Sequence, residues 1–214
     1  MHHDDFKFEP VRGLPEALPE GEHILWQGSP DPLRLAKEAW KMNWIIGYFI
    51  ALAIWRVIVS AETETLTTAL GHGIPLLLAG TLACVIVYVI AYVQARSTVY
   101  TLTNKRAAMR IGAALMMTLN LPYVRIVNAS ANIRKNGIGT ISFEIENDTR
   151  ISYMMTWPHV RPWAIRRAQP SFRAIPDAAR VAAIFADAAE ARVSQPVVTK
   201  VQHSAPLSGA VAAE

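Results

Sequence analysis

The sequence predicts an α+β membrane protein: a two-helix transmembrane hairpin, then a cytoplasmic antiparallel β meander or barrel closed by a C-terminal α-helix. Three observations predict it. Two apolar runs, 43–60 and 74–93, lie close together. After Arg96 the apolar period changes from helical to alternating. Pro176-Asp177 then opens a stretch with Val181, Ile184, Phe185 and Ala188 at i, i+3, i+4 and i+7, the stripe of an amphipathic helix.

The run IPLLLAGTLACVIVYVIAYV, 74–93, contains no charged residue. At about 1.5 Å per residue it makes a helix of about 30 Å, the thickness of a bilayer's hydrocarbon core. The run NWIIGYFIALAIWRVIVS, 43–60, is shorter and includes Arg56. Arg56 is placed about a turn from the far end, where its guanidinium can snorkel to the surface. Gly47, Ala51 and Ala53 facing Ala79, Gly80 and Ala83 offer close approach of the two backbones. No basic n-region with a small-residue cleavage site precedes the first run, so it is expected to stay as an anchor.

Charge is distributed unevenly. Residues 1–42 have a net charge of −3, the hairpin −1 and residues 94–214 +8. The connection 61–73, AETETLTTALGHG, has no Lys or Arg, whereas Lys37, Lys41 and Arg96 flank the spans. By the positive-inside rule both termini are cytoplasmic, in a bacterial inner membrane, and the 61–73 loop is periplasmic. The basic part after the spans is attracted to anionic lipid. Nucleic acid is not the expected partner, because no recognition signature for it occurs.

Before the spans, residues 1–20 read as an extended arm with Pro10, Pro15 and Pro19. EHILWQG, 22–28, alternates with Ile24 and Trp26 on one side, as an edge strand docking on the later domain would. From Leu33 to Met42, Leu33, Ala36 and Trp40 share one helical face and Arg34, Lys37 and Lys41 the other. This predicts an amphipathic lead-in along the headgroups, with Trp40 and Trp44 at interfacial depth.

After the spans, strands are expected at 98–103, 106–111, 115–121, 124–133, 141–145 and 150–155, separated by turns at Asn104-Lys105, Pro122, Asn136-Gly137 and Asn147-Asp148. The segment 156–173, TWPHVRPWAIRRAQPSFR, is too rich in Pro, Trp and Arg to be one regular element. Residues 194–214 read as a disordered tail. A β meander closed by one helix over 94–193 has the outline of a pleckstrin-homology (PH)-like domain.

LPEGEHILWQGSP, a membrane hairpin, YTLTNKRAAMRIG, LPYVRIVNAS and GIGTISFEI together resemble the bacterial PH domains found on membrane anchors. LPEALPEGEHILWQGSPD, YTLTNKRAAMRIG and WPHVRPWAIRRAQPSFRAIPDAARVA resemble, over nearly the whole chain, the PuhB family of photosynthetic-complex assembly proteins of purple bacteria. The last block is the most diagnostic. That resemblance implies a non-enzymatic, self-associating inner-membrane assembly factor for the reaction centre. It acts by binding reaction-centre subunits and, through them, the light-harvesting 1 core; a homodimer is expected. The second functional reading is a PH-domain membrane protein that senses anionic lipid or scaffolds other envelope proteins.

The residues expected to bind a partner are Trp157, His159, Arg161, Trp163, Arg166, Arg167, Phe172 and Arg173. Trp and Arg are enriched in binding hot spots, as rigid anchors and forked donors. Catalytic and metal residues are expected to be none, and no cofactor is expected. No P-loop, GxGxxG, HExxH or nucleophile motif occurs. Cys84 is the single cysteine and is read as a small apolar packing residue. Glu144, Glu146 and Asp148 alternate as a solvated strand face. His72 and His159 lack the mid-helix apolar setting that a buried chlorin needs, so pigment ligation is not expected of either.

Overall fold

The computed structural model describes residues 11–113, 116–146 and 151–194. The beginning of the arm, Leu115, the Asn147-Asp148 turn, Arg150 and the tail from 195 lie outside the described residues.

Strand β1, Ile24–Gly28, leads into helix α1, Pro32–Glu38. Asp31 caps α1 by accepting the Arg34 N–H at 2.7 Å, with Pro32 at a position that needs no amide donor. Two long helices follow, α2 (Met42–Ala61) and α3 (Leu66–Ser97). Both are long and apolar enough to cross a membrane. Only 11% of each apolar window is buried, unlike a core helix; Trp44, Trp55 and Leu82 are among the exposed side chains.

The periplasmic loop expected over 61–73 is largely helical. Helix α3 begins at Leu66, so only residues 62–65 connect the helices. His72 is therefore on a helix, with Nδ1 2.9 Å from the Ser60 hydroxyl and Nε2 3.7 Å from Glu64. The helices meet through small residues. A Cβ on Gly80 would lie 2.7 Å from Phe49 Cβ, and one on Gly73 3.0 Å from Val57. Ala53 is buried in this seam, whereas Gly47 faces open space.

The lead-in differs from its expected form. Helix α1 stops at Glu38, and Lys41 turns the chain with φ 56° before α2. Leu35 and Ala36 are buried with Ala91 and Ala95 of α3, while Leu33 is exposed. The buried face differs from the expected one because the helix is too short to carry Trp40 and because it docks on α3.

Among the described residues seven strands form two antiparallel sheets. The first has the order β1-β2-β3-β4, with β2 Val99–Thr103, β3 Arg106–Ile111 and β4 Met117–Pro122. A short 3-10 turn, Tyr123–Arg125, leads to the second. Its order is β5-β6-β7, with β5 Ile126–Ile133, β6 Gly139–Ile145 and β7 Ser171–Ile175. The expected docking of 22–28 holds: Gln27 pairs with Thr101 and Gly28 with Tyr100. No ladder among the described residues joins the two sheets, and of the two expected forms those residues show the antiparallel meander and no closed barrel.

The strand expected at 150–155 is instead a helical turn, α4 (Tyr153–Thr156). Thr156 bonds back to the Ser152 carbonyl through both its N–H and its hydroxyl. The preceding strand β6 takes β5 on one side and β7, not 150–155, on the other. Strand β7 comes from the segment that looked irregular.

Helix α5, Ala178–Val193, lies across the open side of the sheets, as its apolar stripe predicts. Val181, Phe185 and Ala188 are buried in one core with Tyr100, Phe143 and Phe172. Phe172 stacks on Tyr100 at 4.5 Å between centroids, and Trp26 of the first sheet reaches Phe172 of the second. Aromatic burial of this kind supplies large apolar area per residue.

Candidate functional site

The segment 153–173 runs along the open end of the hairpin, where α2 starts and α3 finishes. Trp157 is half-buried and meets Trp40 edge-on at 4.8 Å. The Trp40 indole N–H donates to Gln94 Oε1 at 3.1 Å, tying the pre-α2 turn to the end of α3. Trp40 is thus packed against Trp157 and bonded to Gln94. Trp44 is 79% exposed, Lys41 is exposed, and Arg96 lies 6.0 Å from the Tyr92 ring centroid.

His159, expected to bind a partner, is buried. Its Nδ1 lies 2.6 Å from the Tyr100 hydroxyl and its Nε2 3.1 Å from the Thr98 hydroxyl. Thr98 donates its own proton to the Gln94 carbonyl at 2.7 Å, so it must accept from His159. Nε2 therefore carries the proton, and Nδ1 accepts from Tyr100, whose oxygen accepts the Arg173 N–H at 3.2 Å. Every member of this chain has a partner. Burial, then the Arg173 charge, lowers the His159 pKa to about 3. Burial likewise pushes the Tyr100 hydroxyl upward. The neutral ring is a structural strut.

Arg173 is also buried, with Nη1 donating to the Pro158 carbonyl at 3.0 Å. Its desolvation lowers its pKa, opposed by the nearby Glu38 carboxylate. Phe172 is fully buried in the core. Of the eight residues expected to bind a partner, Phe172, His159 and Arg173 therefore hold the domain together, and Trp157 packs against Trp40.

The rest are on the surface. The loop between His159 and β7 is pinned at its base by the Val160–Pro170 bridge, by the Arg161 N–H to the Gln169 carbonyl and by Arg161 Nη1 to Gln169 Oε1. Its tip exposes Trp163 (83%) and Ile165 (65%), with Arg166 and Arg167 beside them. Trp163 has φ 67°, a left-handed conformation that a bulky side chain rarely adopts. Met154 and Met155 are exposed on α4. The loop combines exposed apolar anchors with forked cations.

Sequence reasoning did not find Tyr100, Thr98 and Gln94 as partners of His159. They are about sixty residues away along the chain, and no local pattern links them. Among the described residues no group of His, Cys, Asp or Glu could hold a metal ion.

Two helices long and apolar enough to cross a membrane, joined to a two-sheet α+β domain, define the class of architecture. Residues 44–189 match the model of the bacterial PH domain family, and the chain belongs to that family. It is also 41% identical, over all of its own length and 99% of the relative's, to a protein of Rhodobacter capsulatus named "Uncharacterized 23.7 kDa protein in puhA 5'region". No solved structure matches.

Proposed function

We propose that this chain is a non-enzymatic assembly factor of the bacterial inner membrane that binds subunits of the photosynthetic reaction centre while the core complex is built. The observation that carries the reading is the full-length likeness to the R. capsulatus protein, whose locus name shares the puh stem of the family the sequence blocks resemble. The unburied apolar surface of α2 and α3 supports membrane insertion, since such surface is unfavourable in water. The charge pattern supports cytoplasmic termini. A second copy of the chain and light-harvesting 1 polypeptides belong to the same reading as partners.

The loop carrying Trp163, Ile165, Arg166 and Arg167 is the contact surface in this reading. An exposed Trp held in a strained conformation costs folding energy and supplies a pre-set anchor. Replacing Arg166 and Arg167 together with Ala should lower the recovery of reaction-centre polypeptides without changing membrane insertion. The check is co-purification of a tagged chain from phototrophic membranes, with reaction-centre absorbance measured alongside. A wild-type tagged chain that never carries reaction-centre subunits or their precursors sinks the reading.

A further inference from the structure

Strand β5 stands at one edge of the second sheet. It pairs with β6 on one side, and no strand among the described residues pairs with the other. It is eight residues long, the longest of the described strands, and its sequence IVNASANI has neither a charge nor a proline. Those are devices that commonly keep an open edge from pairing with another chain. Val127 is 70% exposed and Ile133 43%.

The hairpin register fixes which backbone groups are open. The Arg134 N–H donates to the Ile138 carbonyl at 3.0 Å, so residue 134 points toward β6. Backbone direction alternates along a strand, so Asn132 and Ser130 point the same way, while Ala129, Ala131 and Ile133 turn their N–H and C=O groups outward. Side chains sort by face in the same register. Ala129 and Ala131 lie opposite Phe143 and Ile141, on the core side. Ser130 and Asn132 lie opposite Ser142 and Thr140, on the outer side.

A cleft of about 740 Å³ covers that outer side. Five consecutive residues, 130–134, line it. Neighbours in a strand point to opposite faces, so a cavity that touches all five wraps around the strand's edge. Lys37, Lys41, Arg134, Arg161 and Arg173 also line it, against the single carboxylate of Glu38, which is 2.9 Å from Arg134 Nε. Cations gathered in one concavity focus their field and attract carboxylates to it.

We propose that an extended segment of another polypeptide, alternating carboxylate and apolar side chains, adds to β5 as a fourth strand of this sheet. Main-chain hydrogen bonds to Ala129, Ala131 and Ile133 hold it in register. Its carboxylates meet the cations of the cleft on one face, and its apolar side chains lie beside Ala131 and Ile133 on the other. The surface shares no residue with the loop tip of the reaction-centre reading and does not rest on it.

The full-length protein in an uncharged detergent is titrated into a short dye-labelled peptide that alternates Glu and Val, and fluorescence anisotropy reads the binding. Wild type should bind it. The same peptide N-methylated throughout keeps its charge but cannot donate to a ladder, and should bind about tenfold more weakly or worse. Ala131→Pro removes one outward donor and leaves the β6 ladder intact, since an edge strand tolerates proline where its N–H faces away from the sheet. It should weaken the unmethylated peptide by a similar factor. Lys37→Gln/Lys41→Asn should weaken it as well and reduce the salt dependence; Asn tolerates the left-handed backbone at 41.

The methylated peptide reads the same hydrogen bonds in wild type, so the test stands even if the proline variant does not fold. Equal binding of the two peptides would mean that charge alone draws them, and overturns strand addition. Unchanged binding by a folded Ala131→Pro protein does the same. Retention of phosphatidylglycerol by a protein that binds neither peptide would give the cleft to lipid and overturn the polypeptide as its occupant.

Discussion

His159 shows how far one side chain's role depends on partners that the chain brings from elsewhere. Its ring is closed between Tyr100 and Thr98 and is held neutral. Unfolded, a His titrates near pH 6.5; folded, this one titrates at about 3. The folded pKa is depressed, so the unfolded chain binds the proton first as pH falls. The stabilisation is complete above pH 6.5 and is lost progressively toward pH 3, at about 1.4 kcal/mol per pH unit. Denaturant unfolding of the detergent-solubilised protein at steps from pH 7 to 5 measures this slope. His159→Gln should be less stable at pH 7 and should lose most of the slope; an unchanged slope would place the acid sensitivity in another group. The local sequence, HVRP between prolines, had no signal for burial, because every partner is remote in the chain.

Among the elements, the hairpin seam and the 156–175 segment were legible to different degrees. Small residues at Ala53 and Gly80 announced close packing, and both sit in the seam. Gly47 belonged to the same sequence pattern yet meets nothing, because helix rotation is decided by the partner helix. Gly80→Ala should therefore force Phe49 and the helix axes apart and cost about 1–3 kcal/mol, as overpacking does. Gly47→Ala should be neutral or slightly stabilising. Unfolding of the two variants in the same detergent compares them, and equal effects would contradict this helix pairing. Strand β7 was hidden because Pro170 and Arg173 disguise it. It is a strand only because β6 offers a free edge and Phe172 has the Tyr100 ring to stack on.

At the scale of the whole molecule, the hairpin and the domain are one packed body rather than an anchor and a cargo. Helix α3 has 32 residues, about 48 Å at the usual rise, longer than a bilayer core. Its last turns hold α1 through Ala91 and Ala95. Asp31 N–H then reaches the Ala174 carbonyl of β7 at 2.8 Å, so α1 brackets both units. On the proposed function, replacing 43–60 and 74–90 by unrelated apolar helices, with Ala91 and Ala95 kept, should leave the domain folded but impair reaction-centre assembly. Proteolysis patterns report the fold and membrane absorbance reports assembly. Normal absorbance would reduce the spans to a passive anchor.

Periodicity and composition determined the two long apolar helices, five of the seven strands after small boundary shifts, the docking strand β1 and the closing helix α5. Each of these is a local property, since a buried face repeats at the period of its own element. The family was legible too, in short contiguous blocks. Only the tertiary structure decided that His159, Phe172 and Arg173 are interior, that β7 rather than 150–155 pairs with β6, and that Lys37, Lys41, Arg134, Arg161 and Arg173 share one cleft. Those facts depend on which distant surfaces meet. Pairing and burial are properties of two partners, and the residues of one stretch specify only their own half.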